Sequence, residues 1–95
     1  MNKAQLLLIQ LAEECNEVAQ RVSKALRFGL DEIQDGQNLN NAERIMGEFA
    51  DLIGVYEILR DSGVLSEVDR NAVSTKKKKV IYFAAYSEIL FNAEI

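Results

Sequence analysis

Apolar residues recur at helical spacing in three stretches of this chain, and polar, glycine-marked segments separate them. The first stretch runs from about Lys3 to Leu26. At about 100° per residue, Leu8, Leu11, Cys15, Val18, Ala19, Val22 and Leu26 share one arc. Phe28-Gly29 ends it, because glycine adopts the left-handed conformation that closes many helices. A polar segment from Asp31 to Asn41 follows, with Asp35-Gly36 as a turn signal. It is long for a helix connection, and Leu30, Ile33 and Leu39 are the residues expected to pin it down.

Asn40 and Glu43 have capping-box spacing, so a second helix is predicted from Asn41 to about Arg60. Its main arc is Ile45, Met46, Phe49, Leu52, Ile53, Tyr56 and Leu59, and Val55 and Ile58 widen it. Ser62-Gly63 breaks the pattern, and Val64 to Ala72 is ambiguous. A third helix is predicted from Ser74 to about Ala93, with Val80, Phe83, Ala84, Ser87, Leu90 and Phe91 on its core face. The expected fold is an all-α helical bundle, one domain over residues 1–95. The middle helix is apolar around more of its circumference than one small domain covers. A second copy is the common cover, so a homo-oligomer is expected, either a dimer or a dimer of dimers.

Composition narrows the chemistry. The chain has 95 residues, no proline, no histidine and one cysteine. Without histidine there is no Ser-His-Asp or Cys-His catalysis. With one cysteine and no histidine, a structural zinc site within one chain is not expected. No apolar run approaches the roughly 20 residues of a membrane span, and Gln10, Glu13 and Glu14 interrupt the first apolar run. Together with the lone Cys15, this predicts a cytoplasmic protein with no membrane partner. The net charge is −4, and four of the eleven basic residues are Lys76 to Lys79. An acidic chain with one basic cluster argues against nucleic-acid binding. It fits a small anionic ligand held by lysine and a cation together.

The acids carry the sharpest signal. Glu13-Glu14-Cys15-Asn16-Glu17 lies on the first helix and Glu48-Phe49-Ala50-Asp51 on the second. Glu14 and Glu17, like Glu48 and Asp51, are three apart and share a side of their helix. Glu14 borders the apolar arc, Glu13 lies almost opposite it, and Glu17 lies between those two. Glu48 falls between Val55 and Leu59, with Asp51 next to it. Carboxylates among apolar neighbours cost several kcal/mol unless paired or metal-bound. Two packed helices would aim four carboxylates at one spot, which calls for a cation. Clustered oxygens suit hard ions, Mg²⁺ first and Mn²⁺ as a substitute. Arg21 and Arg44 are the basic residues placed to turn the cluster into a structural ion-pair network instead.

The paired motif, Glu13-Glu14-x-x-Glu17 with Glu48-x-x-Asp51, resembles that of the MazG-like all-α nucleoside triphosphate pyrophosphohydrolases, in particular the short single-domain forms of phages and bacteria. Lys24-Ala25-Leu26-Arg27-Phe28-Gly29, Asn41-Ala42-Glu43-Arg44 and the lysine-rich start of the last helix extend the resemblance. It implies Mg²⁺-dependent hydrolysis of an NTP or dNTP to the monophosphate and pyrophosphate, by a metal-activated water at the α-phosphorus. It implies Glu14, Glu17, Glu48 and Asp51 as metal ligands. Glu13 matches the first acidic position, in a water-orienting role at most. Lys24, Arg27, Lys76 and Lys79 are the candidates for holding the distal phosphates. The alternatives are a non-catalytic helical oligomerisation or partner-binding module, and a related phosphoribosyl-ATP or dUTP pyrophosphohydrolase.

Overall fold

The computed structural model describes residues 1–86, which form three helices: α1 (Lys3–Phe28), α2 (Asn41–Asp61) and α3 (Arg70–Tyr86). The chain is all-α, with no strand among the described residues. Asn2 and Gln5 form a capping box that opens α1. Asn2 Oδ1 accepts from the Gln5 N–H at 2.8 Å, and Gln5 Oε1 accepts from the Asn2 N–H at 2.9 Å. The expected box at Asn40 and Glu43 opens α2 in the same way. Gly29 closes α1 at φ 95°, donating to the Ala25 carbonyl at 2.8 Å. That φ is costly for any residue with a Cβ.

Helix α3 starts earlier than the apolar pattern predicts. Asp69 Oδ1 accepts from the Asn71 and Ala72 N–H groups at 2.8 and 3.2 Å. The aspartate thus caps the helix end and draws residues 70–73 into it. The predicted end near Ala93, and the core positions Ser87, Leu90 and Phe91, lie outside the described residues.

The connection between α1 and α2 is held by polar bonds rather than by its leucines. Asn41 is almost fully buried, at 3% exposed, and its Nδ2 donates to the Gly29 carbonyl at 2.8 Å and to Glu32 Oε1 at 3.2 Å. The Asn41 and Ala42 N–H groups donate to the carbonyls of Glu32 and Leu30, each at 3.1 Å. Arg44 Nη1 donates to Gln34 Oε1 at 3.0 Å. Leu30, Ile33 and Leu39, the expected anchors, are exposed. Asn41→Ala is therefore expected to cost about 1–3 kcal/mol, since it strands a carbonyl in a partly buried site. A urea midpoint unchanged from wild type would refute this.

α1 and α2 pack against each other. Asn41 lies by Gly29 at one end, and Glu48 lies by Arg21 further along, so the two helices run antiparallel. On α1 the packed side is Leu7, Leu11, Glu14, Val18, Arg21 and Ala25, at alternating spacings of four and three. On α2 it is Asn41, Ile45, Glu48, Leu52, Val55 and Leu59. This side of α1 is rotated by about one residue from the predicted apolar arc. Leu8, Cys15, Ala19, Val22 and Leu26 are exposed, as are Met46, Phe49, Ile53 and Ile58 of α2. The apolar core is thin, with Ala25, Val55 and Leu59 as its buried members. α3 makes no packing contact with α1 or α2, so Val80 and Phe83, predicted to face a core, are exposed and Ala84 is half-buried. The radius of gyration is 16.5 Å, against about 12 Å for a compact chain of this length.

Candidate metal centre

The rotation of α1 puts charged residues into the helix–helix seam. Positions that a simple two-helix contact would fill with leucine carry Glu14, Arg21 and Glu48. One turn from Glu14, on the same side of α1, stands Glu17. Glu14, Glu17 and Glu48 each offer one oxygen, and the three oxygens lie within 4.8 Å of one another. Glu14 and Glu48 are half-buried and Glu17 is exposed.

Of the three, Glu48 feels the crowding most. Its carboxyl is held above its ordinary 4.5. The largest cause is a hydrogen bond to Glu17. Partial desolvation and the negative charges of Glu17 and Asp51 act in the same direction, and Arg21 opposes them.

The only cation in this cluster among the described residues is Arg21. Its Nε lies 3.9 Å from Glu48 Oε1, and the two side chains are 20% and 23% exposed. That distance is an ion pair without a hydrogen bond. One guanidinium faces three carboxylates, so the cluster carries excess negative charge. It also carries unsatisfied atoms. Glu14 Oε2, Glu48 Oε2 and Arg21 Nη1 are buried without a hydrogen-bond partner. Buried polar atoms are nearly always paired, and a self-contained ion-pair network would pair these.

The donor set fits a hard divalent cation. All the donors are carboxylate oxygens, which Mg²⁺ and Mn²⁺ prefer. Two ligands on one Mg²⁺ at about 2.1 Å lie at most about 4.2 Å apart. The spread of 4.8 Å is therefore within reach of small side-chain rotations.

The other expected residues are spread more widely. Asp51 is exposed and outside the close group, although its charge acts on Glu48. The apolar setting expected for it is absent in the single chain. Glu13 is exposed, as its helical phase predicts. Lys24 follows Arg21 along the same side of α1. It lines a cleft of about 450 Å³ with Phe28, Glu32, Ile33, Gln34, Asp35 and Asn41. Arg27 is turned away, its guanidinium 5.1 Å from the centre of the Phe28 ring. Arg44 is engaged with Gln34 rather than with Glu48. Lys76 and Lys79 stand on α3, which does not pack on the acid-bearing helices.

Two residues gain weight from the structure. Arg21 stands one turn after Glu17, a spacing the sequence displays. Asn41 fixes the loop that forms the cleft, and only its place in an Asn-Asn pair hints at this. No helix among the described residues is long and apolar enough to cross a membrane. Comparisons with protein-family models, with curated proteins and with solved structures give no match.

Proposed function

We propose that the chain is a Mg²⁺-dependent nucleoside triphosphate pyrophosphohydrolase, releasing pyrophosphate and a nucleoside monophosphate. The observation that carries the reading is the meeting of three carboxylates from two helices within 4.8 Å, with buried oxygens left unpaired. Glu14, Glu17 and Glu48 would hold the ion, and Asp51 lies close enough to Glu48 to act on its charge. When bound, a divalent cation neutralises a polyphosphate and makes a water more acidic.

The chain's own residues supply the rest. Glu14 and Glu48, placed in the helix seam, would set the position of the bound cation. Glu17, the exposed member, has the freedom to orient a water or take its proton. Lys24 and its cleft give the remainder of an extended substrate a place beyond the acids. The motif resemblance, Glu13-Glu14-x-x-Glu17 with Glu48-x-x-Asp51, selects a triphosphate over other anions.

Self-association belongs to the same proposal. The accessible surface is 7702 Å² for a 10.7 kDa chain, against about 5,500 Å² for a compact folded chain of that mass. The excess of about 2,200 Å² is well above the roughly 800 Å² each partner buries in a stable interface. The exposed apolar residues of α1, α2 and α3 are the surface that a second copy would cover, completing a helical bundle.

The exposed α3 also supports a second reading, a helical oligomerisation module without catalysis. The purified protein, given Mg²⁺ and a panel of standard and modified nucleotides, separates the two. Release of pyrophosphate from at least one nucleotide is expected. Competition among NTPs, dUTP and phosphoribosyl-ATP then ranks the substrates. Absence of pyrophosphate release, together with no Mn²⁺ binding by calorimetry, would leave the oligomerisation module as the surviving reading.

A further inference from the structure

Arg21 is placed for more than neutralising acids. It shares one side of α1 with Glu14, Glu17 and Lys24, at successive spacings of three, four and three residues. Its Nε approaches Glu48 only to 3.9 Å, while its Nη1 is buried and bonded to nothing. In the same cluster Glu14 Oε2 and Glu48 Oε2 are also buried and unbonded. The cluster thus holds a donor and two acceptors that no hydrogen bond satisfies. A purely structural counter-ion would close those bonds, because an unpaired buried polar group costs about 1–3 kcal/mol. A cation among the carboxylates and an oxyanion against the guanidinium would satisfy all three atoms together.

We propose that Arg21 is the residue that would grip the phosphate oxygens of a polyphosphate brought to the carboxylate cluster by a divalent cation. This rests on the reading of the site given above. Guanidinium suits the task, since its planar fork matches two phosphate oxygens at once and it stays charged at any physiological pH. Three other cations of α1 and α2 are less well placed. Arg27 lies against Phe28, Arg44 is bonded to Gln34, and Lys24 is a turn further from the acids. Arg21 therefore has two partners in turn: Glu48 when no anion is bound, and phosphate when one is.

Calorimetry with Mn²⁺ alone, and then with inorganic tripolyphosphate at saturating Mn²⁺, tests this. Arg21→Gln is expected to bind Mn²⁺ at least as tightly as wild type, because a competing positive charge is gone. Its affinity for tripolyphosphate is expected to fall about 10- to 100-fold, the worth of hydrogen bonds to a charged group. kcat/KM for pyrophosphate release is expected to fall in parallel. Unchanged tripolyphosphate affinity would overturn the proposal, and so would a joint loss of Mn²⁺ affinity and thermal stability, which marks a structural counter-ion. Should Arg21→Gln fail to fold, Arg21→Lys decides. It keeps the charge and loses the fork, so a counter-ion role predicts wild-type tripolyphosphate binding and a phosphate ligand predicts a loss. Wild-type protein that binds no Mn²⁺ overturns the metal centre itself. Normal Mn²⁺ binding with tripolyphosphate binding indifferent to Arg21 overturns this inference alone.

Discussion

Glu48→Gln is expected to remove pyrophosphate release while leaving the fold intact. Glutamine keeps the shape of the side chain and removes its charge and one ligand oxygen. Replacing residues that merely support metal ligands costs about 10- to 100-fold in metal affinity or activity. Loss of a proposed ligand at the centre of the cluster should exceed about 100-fold on the same scale. Glu48 is also the only member of the close group contributed by α2, so no neighbour can replace it. Stability should move the other way. In the absence of metal, the substitution removes one of three crowded acids, and the melting temperature is expected to hold or rise. Glu13→Gln should have a mild effect, because Glu13 is exposed and outside the cluster. Circular dichroism with a pyrophosphate-release assay checks both variants. Equal loss of activity in the two would refute the placement of Glu13.

That contrast also shows how much of the site can be read from the sequence. Helical phase alone separates Glu13 from Glu14, and the capping pair Asn40 and Glu43 alone places the start of α2. The three-residue spacings put Glu14 beside Glu17. What the spacing does not contain is the rotation of α1. Its apolar arc includes Leu8, Cys15, Val22 and Leu26, and a wheel takes the centre of such an arc as the buried side. The single chain packs along the arc's edge, through Leu7, Glu14, Arg21 and Ala25. A hydrophobic arc reports how much of a helix wants cover and not which neighbour supplies it. The same limit explains α3. Its pattern is that of a packed helix, yet neither α1 nor α2 packs on it. Its start was hidden for a different reason. Asp69 caps it through side-chain bonds to Asn71 and Ala72, and the polar residues that follow show no apolar period. Asn41 was hidden because burial of a polar side chain depends on bonds made across the loop, to Gly29 and Glu32.

Metal affinity is expected to rise with pH, and the stability of the metal-free protein to fall. The Glu48 carboxyl is held above its ordinary 4.5, first by its hydrogen bond to Glu17 and then by desolvation and neighbouring acids. A divalent ion needs the deprotonated carboxylate, so binding must expel that proton. One proton per ion corresponds to up to about a tenfold gain in apparent affinity per pH unit. The gain continues until pH passes the raised value of Glu48 and then levels off.

For folding without metal the sign is opposite. A carboxyl whose value is higher in the folded than in the unfolded chain binds more protons when folded. Its stabilising contribution is fully present below 4.5 and is lost as pH rises through the raised value. Acidifying from neutral toward that region should therefore firm up the metal-free protein, while the stabilisation gained by adding Mn²⁺ should grow with pH. Thermal melts across this range, with and without Mn²⁺, and calorimetry in buffers of different ionisation heat measure both trends. Glu48→Gln has no such proton to exchange, so both slopes should flatten in it. If Mn²⁺ affinity is already independent of pH in the wild-type protein, Glu48 is not a ligand of the ion.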